Sequence, residues 1–163
     1  MSELAEFTDF YSANSSRVYR AVVAAAGRLE SAEDATAEAF QRAWARWRTV
    51  RDHPAPVAWV TLTAVNIVRD DARRTSRALR LAPKLVSETE VPEPTTLDPH
   101  LVSCIARLPE RQREVLALRV LLDLSAEQTA AELDISAGTV GTHLSRALAA
   151  LRAELATQLS EQA

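Results

Sequence analysis

A proline-rich, acidic segment divides the chain into two parts that we expect to fold as separate domains. Residues 82–100 read APKLVSETEVPEPTTLDPH and hold four of the seven prolines in the sequence. Proline removes a backbone hydrogen-bond donor and blocks helix formation, and the segment has too little apolar surface to build a core. We therefore predict a semi-rigid, solvated linker over residues 81–100, between a first domain at 1–80 and a second at 101–163.

The two flanking parts have the composition of helical proteins. The 163 residues include three glycines, while alanine, leucine, arginine and glutamate are abundant, so we predict an all-α fold of two small helical domains. The single cysteine, Cys104, cannot form an internal disulfide, which fits a reducing compartment. No apolar run approaches the ~20 residues that span a membrane, and the acidic N-terminus lacks the pattern of a signal peptide. These features predict a cytoplasmic protein without membrane insertion.

Helical spacing of apolar residues outlines the first domain. We predict two short helices before residue 30, a third helix capped by Ser31, and a fourth that begins near Pro56. Trp44 and Trp47 lie on the apolar stripe of the third helix and are predicted to belong to the core. The pattern leaves open whether Trp59 is a core residue or a stacking surface.

Two polar helix faces in this domain are candidate binding surfaces. On the third helix, Asp34, Glu38 and Gln41 follow one another at helical spacing. The fourth helix buries an apolar face and presents elsewhere an amide, an aspartate and several arginines that can neutralise phosphates: Asn66, Arg69, Asp70, Arg73, Arg74 and Arg77. The competing interpretation is that both faces are simply solvated.

The second domain ends in a helix-turn-helix pattern at about residues 126–145. A helix capped by Ser125, with Gln128 in the capping-box position, is followed by a short turn and a long helix capped by Ser136. The small Ala130 allows the two helices to cross closely. The N-terminal half of the second helix reaches base edges in such motifs and here presents Ala137, Thr139, Thr142, Ser145 and Arg146. A helical hairpin that packs and does nothing more is the competing interpretation.

Four segments, in this order, resemble the extracytoplasmic-function class of bacterial RNA polymerase sigma factors. SAEDATAEAFQRAW (31–44) resembles the family's polymerase-binding helix, and AWVTLTAVNIVRDDARR (58–74) resembles the helix after it. LPERQREVLALR (108–119) and ISAGTVGTHLSRALAALRAEL (135–155) resemble the segment that reads the upstream promoter element. The proline-rich linker lies between the second and third of these segments, as it does in the family.

The resemblance implies a promoter-specificity subunit. Its first domain would bind RNA polymerase core through Asp34, Glu38 and Gln41, and would recognise and melt the minus-ten element through the polar face of the fourth helix. The loop over residues 49–56 corresponds to one that helps to capture a flipped base. The second domain would read the minus-thirty-five element in the major groove. An anti-sigma factor is a further partner that the resemblance implies.

The resemblance implies no catalysis, cofactor or metal, and the sequence agrees with this. Its three histidines are scattered singly, and it lacks a glycine-rich phosphate loop. The chain departs from the family pattern at Leu62, Val65 and Gly141, where basic residues are frequent, and at Gln128 and Thr129, where glutamate and isoleucine are frequent. The second helix of the helix-turn-helix, which begins after Ser136 and which we call the reading helix, therefore carries few charges. We expect polymerase to hold it on DNA.

Two other classes of protein fit parts of the pattern. A stand-alone helix-turn-helix regulator would account for the second domain but has no need of the polymerase-binding-like helix at 31–48. A degenerate sigma paralogue that acts as an interaction protein would account for the charge-poor reading helix.

Overall fold

The computed structural model describes residues 1–81 and 97–163, and within these ranges it contains helices and turns but no strand, which confirms the all-α prediction. Residues 82–96 of the predicted linker lie outside the described residues. At its two ends, helical structure extends into the predicted 81–100 segment. The helices are α1 (Glu3–Ala26), α2 (Ala32–Ala45), α3 (Trp47–Val50), α4 (Pro56–Leu81), α5 (Pro99–Ala106), α6 (Glu110–Leu116), α7 (Ala126–Leu133) and α8 (Ala137–Gln162).

The first domain begins with one long helix, so the prediction of two short helices before residue 30 was wrong. No glycine or proline interrupts α1, and its polar middle is satisfied within the helix, where the Asn14 side chain donates to the Phe10 carbonyl at 2.8 Å. The helix ends at Gly27, which has a φ of 72° and donates its N–H to the Val23 carbonyl. Glycine occupies this left-handed position without steric cost.

The start of α2 and the position of one tryptophan also differ from the predictions. Ser31 precedes α2 as expected, but it has a φ of 66° and its side chain makes no capping hydrogen bond. Trp47 is buried, whereas Trp44 is 42% exposed, so its assignment to the core was wrong. The reason is that small alanines form the centre of the buried face of α2, and Trp44 lies at the edge of that face. Trp44 still contacts Phe7, with ring centroids 5.2 Å apart.

The second domain contains a change in helix geometry that the sequence pattern did not predict. After Pro109 the chain forms α6, which Pro109 caps, and then a π-helical turn at Ala117–Leu121. Ala117 and Leu118 of this segment are buried, so one face of the π-helical turn belongs to the core.

The helix-turn-helix is capped as predicted. The Ser125 hydroxyl accepts the Gln128 N–H at 3.0 Å, and the Gln128 side chain accepts the Ser125 N–H at 2.9 Å. At the start of α8, the Ser136 hydroxyl accepts the Thr139 N–H at 3.0 Å. Ala130 is buried where α7 meets α8. The two caps fix where each helix begins and thus which side chains the second helix presents.

Ser136→Ala is expected to lower the free energy of unfolding by about 1 kcal/mol, because it leaves a backbone N–H at the start of α8 without its partner. Urea unfolding followed by circular dichroism measures this loss. Ser12→Ala is the matched control, because Ser12 is an exposed residue inside α1, where alanine is at least as good a helix former. An equal effect of both variants would show that the cap contributes nothing.

The two domains pack against each other through α1, which contacts α5, α6 and the π-helical turn. In the part of the chain that the structure describes, none of the helices combines the length and the apolar character of a membrane-spanning segment.

Candidate protein and nucleic-acid interfaces

The polar stripe of α2 is exposed along its whole length. Asp34, Glu38 and Gln41 all face solvent, while the opposite side of the helix is buried through its alanines and Phe40. The Glu38 carboxylate accepts a hydrogen bond from Arg42 at 2.6 Å. The structure therefore brings the three predicted residues together on one accessible surface, which we call the α2 stripe.

An aromatic groove lies beside the α2 stripe, and sequence reasoning missed it. It has a volume of about 340 Å³ and is lined in part by Gln41, Phe40 and two exposed aromatics, Tyr11 and Trp44. Exposed aromatic side chains are enriched in the cores of protein interfaces. The groove extends the candidate protein-binding surface from α2 onto α1. Its signal in the sequence was Trp44, which the helical spacing assigned to the core.

Three of the four predicted phosphate-binding arginines form an exposed patch on α4. Arg73, Arg74 and Arg77 are exposed, and the first two pair with Asp70 and Asp71 at 3.3 and 3.9 Å. Exposed ion pairs of this kind contribute at most ~1 kcal/mol, so the guanidinium groups remain available to a phosphate.

Arg69 does not lie with this patch. Its side chain is 23% exposed and points to the second domain, where its Nη2 atom lies 3.0 Å from Glu110 and 3.5 Å from Glu114. The structure thus separates Arg69 from the three arginines with which the helical pattern grouped it.

Asn66 lies in a groove between α2 and α4 that was not predicted from the sequence. The groove has a volume of about 550 Å³ and is also lined by Trp59, Thr63, Arg42 and Arg46. An amide can bond a base edge, an indole can stack on a base, and guanidinium groups can neutralise phosphates. The two arginines come from α2 and from the residue that caps its C-terminus, so a prediction based on spacing within α4 alone could not find them.

The loop predicted to capture a base runs from α3 to the start of α4. Val50 and Ala55 anchor it in the core, and the His53 Nδ1 atom accepts the Ala55 N–H at 3.0 Å. The other ring nitrogen of His53 lies 3.6 Å from Glu132 of the second domain. Burial raises the pKa of the Glu132 carboxyl, while His53 acts in the opposite direction. The loop therefore contacts α7 through His53.

The predicted reading residues lie together on the N-terminal half of α8. All five are exposed, and Val140 and Ala147 bury the opposite face. The hydroxyl of Thr142 donates to the Gly138 carbonyl at 3.1 Å, which leaves its oxygen lone pairs free to accept. Arg146 makes no ion pair with any described residue. The structure thus presents one unpaired cation among small polar side chains.

The described residues offer no cluster of metal-binding side chains. His100 and Cys104 meet on α5, with Sγ and Nε2 3.3 Å apart, and the second ring nitrogen of His100 lies 3.0 Å from the Gln158 amide. Across residues 1–81 and 97–163, no group of three or more His, Cys, Asp or Glu side chains is placed to hold a metal ion.

Comparison with known proteins places both domains in one family. Residues 10–78 match the family model for sigma-70 region 2, and residues 101–151 match the model for sigma-70 region 4. The RNA polymerase sigma-E factor of Streptomyces antibioticus is 32% identical over 130 residues, which cover 78% of this chain and 72% of that protein. The extracytoplasmic-function RNA polymerase sigma factor SigL of Mycobacterium tuberculosis is 29% identical over 163 residues, covering 94% of this chain and 91% of that protein.

A solved structure shares the fold over nearly the whole chain. It is the sigma factor RpoE of Bartonella quintana in complex with the anti-sigma factor NepR, and it aligns with a TM-score of 0.69 at 24% identity, covering 92% of this chain and 96% of that one. The α2 stripe and α4 lie within the region 2 match, and the reading half of α8 lies within the region 4 match. The chain belongs to the extracytoplasmic-function class of the sigma-70 family of RNA polymerase sigma factors.

Proposed function

We propose that this chain binds RNA polymerase core and directs it to specific promoters, and that the polymerase, not this chain, performs the chemistry. The observation that supports this most strongly is the joint match of two regions, each carrying an exposed surface of the required chemistry. A stand-alone helix-turn-helix regulator would have no use for the α2 stripe and its aromatic groove. We assign residues 1–80 to polymerase and minus-ten contacts and residues 101–163 to minus-thirty-five contacts.

Polymerase binding is assigned to the α2 stripe together with the aromatic groove. Asp34, Glu38 and Gln41 would meet basic and polar groups of the core enzyme, while Trp44 and Tyr11 would supply apolar contact area. Aromatic anchors ringed by polar groups are the usual composition of energetically important contacts.

Recognition of the melted minus-ten strand is assigned to α4 and the groove at its side. Asn66 would bond a base edge and Trp59 would stack, while Arg42 and Arg46 would neutralise the backbone at the groove. Arg73, Arg74 and Arg77 would bind phosphates of the DNA backbone along α4. Asp70 would orient Arg73, with which it is already paired.

The second domain is assigned to duplex readout. The exposed half of α8 would enter the major groove, where Thr139, Thr142 and Ser145 reach bases and Arg146 reaches a guanine or a phosphate. The solved neighbour is a complex with an anti-sigma factor, and we extend that class of partner to this chain. The cytoplasm, where polymerase works, is the corresponding location.

The free chain is expected to bind duplex promoter DNA poorly, and core polymerase is expected to confer specific binding. Residues 101–163 hold six arginines against eight acidic residues, and phosphate neutralisation drives the affinity of free DNA-binding domains. Footprinting with and without purified core on genomic fragments measures the difference. Tight, sequence-specific binding by the free chain at physiological salt would instead support a stand-alone regulator.

Run-off transcription with purified core tests the proposed function directly. Promoter-dependent transcripts that require the chain support a sigma factor. Core binding without transcripts would support a degenerate paralogue that only sequesters polymerase.

A further inference from the structure

The loop over residues 49–56, predicted to capture a base, begins in α3, and α3 packs against the first turns of α1. The side chain of Trp47 contacts Phe7 and Phe10, and in each pair the ring centroids lie 5.2 Å apart. Trp47 is buried, so this contact anchors α3 in the core of the first domain. The position of the loop is therefore set in part by α1.

Two ion pairs join the same two segments at the surface. The Arg48 Nε atom donates to the Glu3 carboxylate at 2.7 Å, and the Arg51 Nη1 atom donates to the Glu6 carboxylate at 3.1 Å. Glu3 and Glu6 are three residues apart on α1 and therefore share a face. Arg48 and Arg51 have the same spacing across the end of α3, and this matched spacing lets both pairs form at once.

The pair between Arg51 and Glu6 is the better protected of the two. The side chains of Arg51 and Glu6 are 37% and 36% exposed, whereas that of Arg48 is 82% exposed. Water and salt screen an exposed pair more strongly than a shielded one. Arg51 also lies 3.8 Å from Asp52, but the Asp52 side chain is 79% exposed and follows Arg51 directly in the chain. Glu6 is therefore the carboxylate that ties Arg51 to another helix.

Arg51 lies at the point where the loop leaves α3. Its N–H donates to the Trp47 carbonyl at 2.9 Å, and the His53 N–H donates to the Val50 carbonyl at 3.1 Å. Val50 is buried, so the core holds the same turn that the ion pair holds at the surface. A loop that is ordered before its ligand arrives binds more tightly than one that is ordered on binding, because ordering costs conformational entropy.

We propose that Glu6 is a positioning residue for promoter melting: its carboxylate holds Arg51, and through Arg51 it holds the loop in the geometry that receives an unstacked base. Glu3 supports the same arrangement through Arg48. The inference rests on the proposed minus-ten role of the first domain. Because a carboxylate repels DNA phosphates, Glu6 acts through Arg51 and not by touching DNA.

Glu6→Gln is expected to loosen the loop in the free chain, because the amide keeps the shape of the side chain and removes the charge that Arg51 meets. Amide hydrogen exchange at Arg51 and His53, whose N–H groups bond within the turn, should accelerate about two- to fivefold. Asp9→Asn is the matched control, since it removes one charge from an exposed position further along α1 that pairs with no described residue. Exchange rates equal to those of the control would overturn the proposal.

Promoter opening by holoenzyme tests the role in base capture. On a promoter found by run-off transcription, 2-aminopurine is placed base by base in the non-template strand of the minus-ten element, and a rise in its fluorescence locates the captured position. We expect Glu6→Gln to slow this rise about two- to fivefold and to weaken the preference for the native base there. Opening as fast and as selective as in the Asp9→Asn control would overturn the proposal.

Exchange of the two charges separates positioning from direct contact with DNA. Glu6→Arg alone and Arg51→Glu alone each place like charges together, and each should slow opening more than Glu6→Gln does. The combined variant restores the ion pair with reversed polarity and should recover at least about half of the lost rate. Slow opening in Arg51→Glu that the second substitution does not recover would make Arg51 a DNA-binding residue and overturn the role of Glu6.

The results also distinguish this inference from the proposed function. Core affinity is measured on the same samples and should be equal in Glu6→Gln and the unsubstituted chain, whereas a general folding defect would lower it. An unsubstituted chain that yields no promoter-dependent transcript would refute the proposed function and, with it, the role of Glu6 in melting. Normal transcripts from the unsubstituted chain and from Glu6→Gln alike would refute the role of Glu6 alone.

Discussion

Asp34→Arg combined with Glu38→Arg is expected to abolish binding of the chain to core polymerase, lowering affinity by at least about a hundredfold. Both side chains lie on the exposed α2 stripe, so the substitution reverses the sign of two groups at the centre of the proposed contact. Like charges brought together in an interface cost several kcal/mol. Pull-down and fluorescence anisotropy with purified core measure the loss.

The fold is expected to survive this double substitution. Neither side chain is buried, and the hydrogen bond that Arg42 donates to Glu38, which the substitution removes, is an exposed i,i+4 pair worth ~0.3–0.5 kcal/mol. Asp9→Arg combined with Glu161→Arg is the matched control, because it changes the net charge equally at exposed positions away from α2. Normal core affinity of the Asp34/Glu38 variant would remove the stripe from the interface.

Much of the fold follows from local sequence. Ser125 with Gln128 and Ser136 mark the starts of α7 and α8 because their side chains satisfy backbone groups a few residues away, so neighbouring residues suffice to place them. The α2 stripe follows for the same reason, since helical spacing fixes which residues share a face.

The wrong predictions concern residues whose surroundings are set by contacts between helices. Trp44 fits an apolar stripe at helical spacing, but it lies at the edge of the buried face of α2, on the rim of a groove. Arg69 fits a basic face of α4, but its partners lie some forty residues further along the chain. The groove at Asn66 also joins two helices distant in sequence. Periodicity reports one helix at a time and carries no information on which helices meet.

The affinity of the reading helix for promoter DNA is expected to depend on Arg146 and Gly141. Arg146→Ala is expected to shorten the lifetime of the promoter complex by about tenfold or more, because an arginine contact to a base contributes ~1–3 kcal/mol of discrimination. A uniform loss across promoter sequences, with a smaller salt dependence, would identify the contact as one to phosphate. Dissociation of the holoenzyme–promoter complex across a salt series distinguishes the two.

Gly141→Lys is expected to act in the opposite direction and to lengthen the lifetime of the promoter complex. A Cβ at this position would meet nothing within 4 Å, and glycine inside a helix costs ~0.5–1 kcal/mol relative to alanine, so the melting temperature should rise as well. Gly141→Ala isolates the gain in helix stability, and Ala149→Lys places a cation on an exposed position of the same helix, beyond the reading half. A lifetime that rises in Gly141→Lys above both controls assigns the gain to charge at the DNA. A shorter lifetime with the fold intact would mean that glycine is needed for close approach of the backbone to DNA. The small number of charges on this helix would then be a requirement of its contact with DNA.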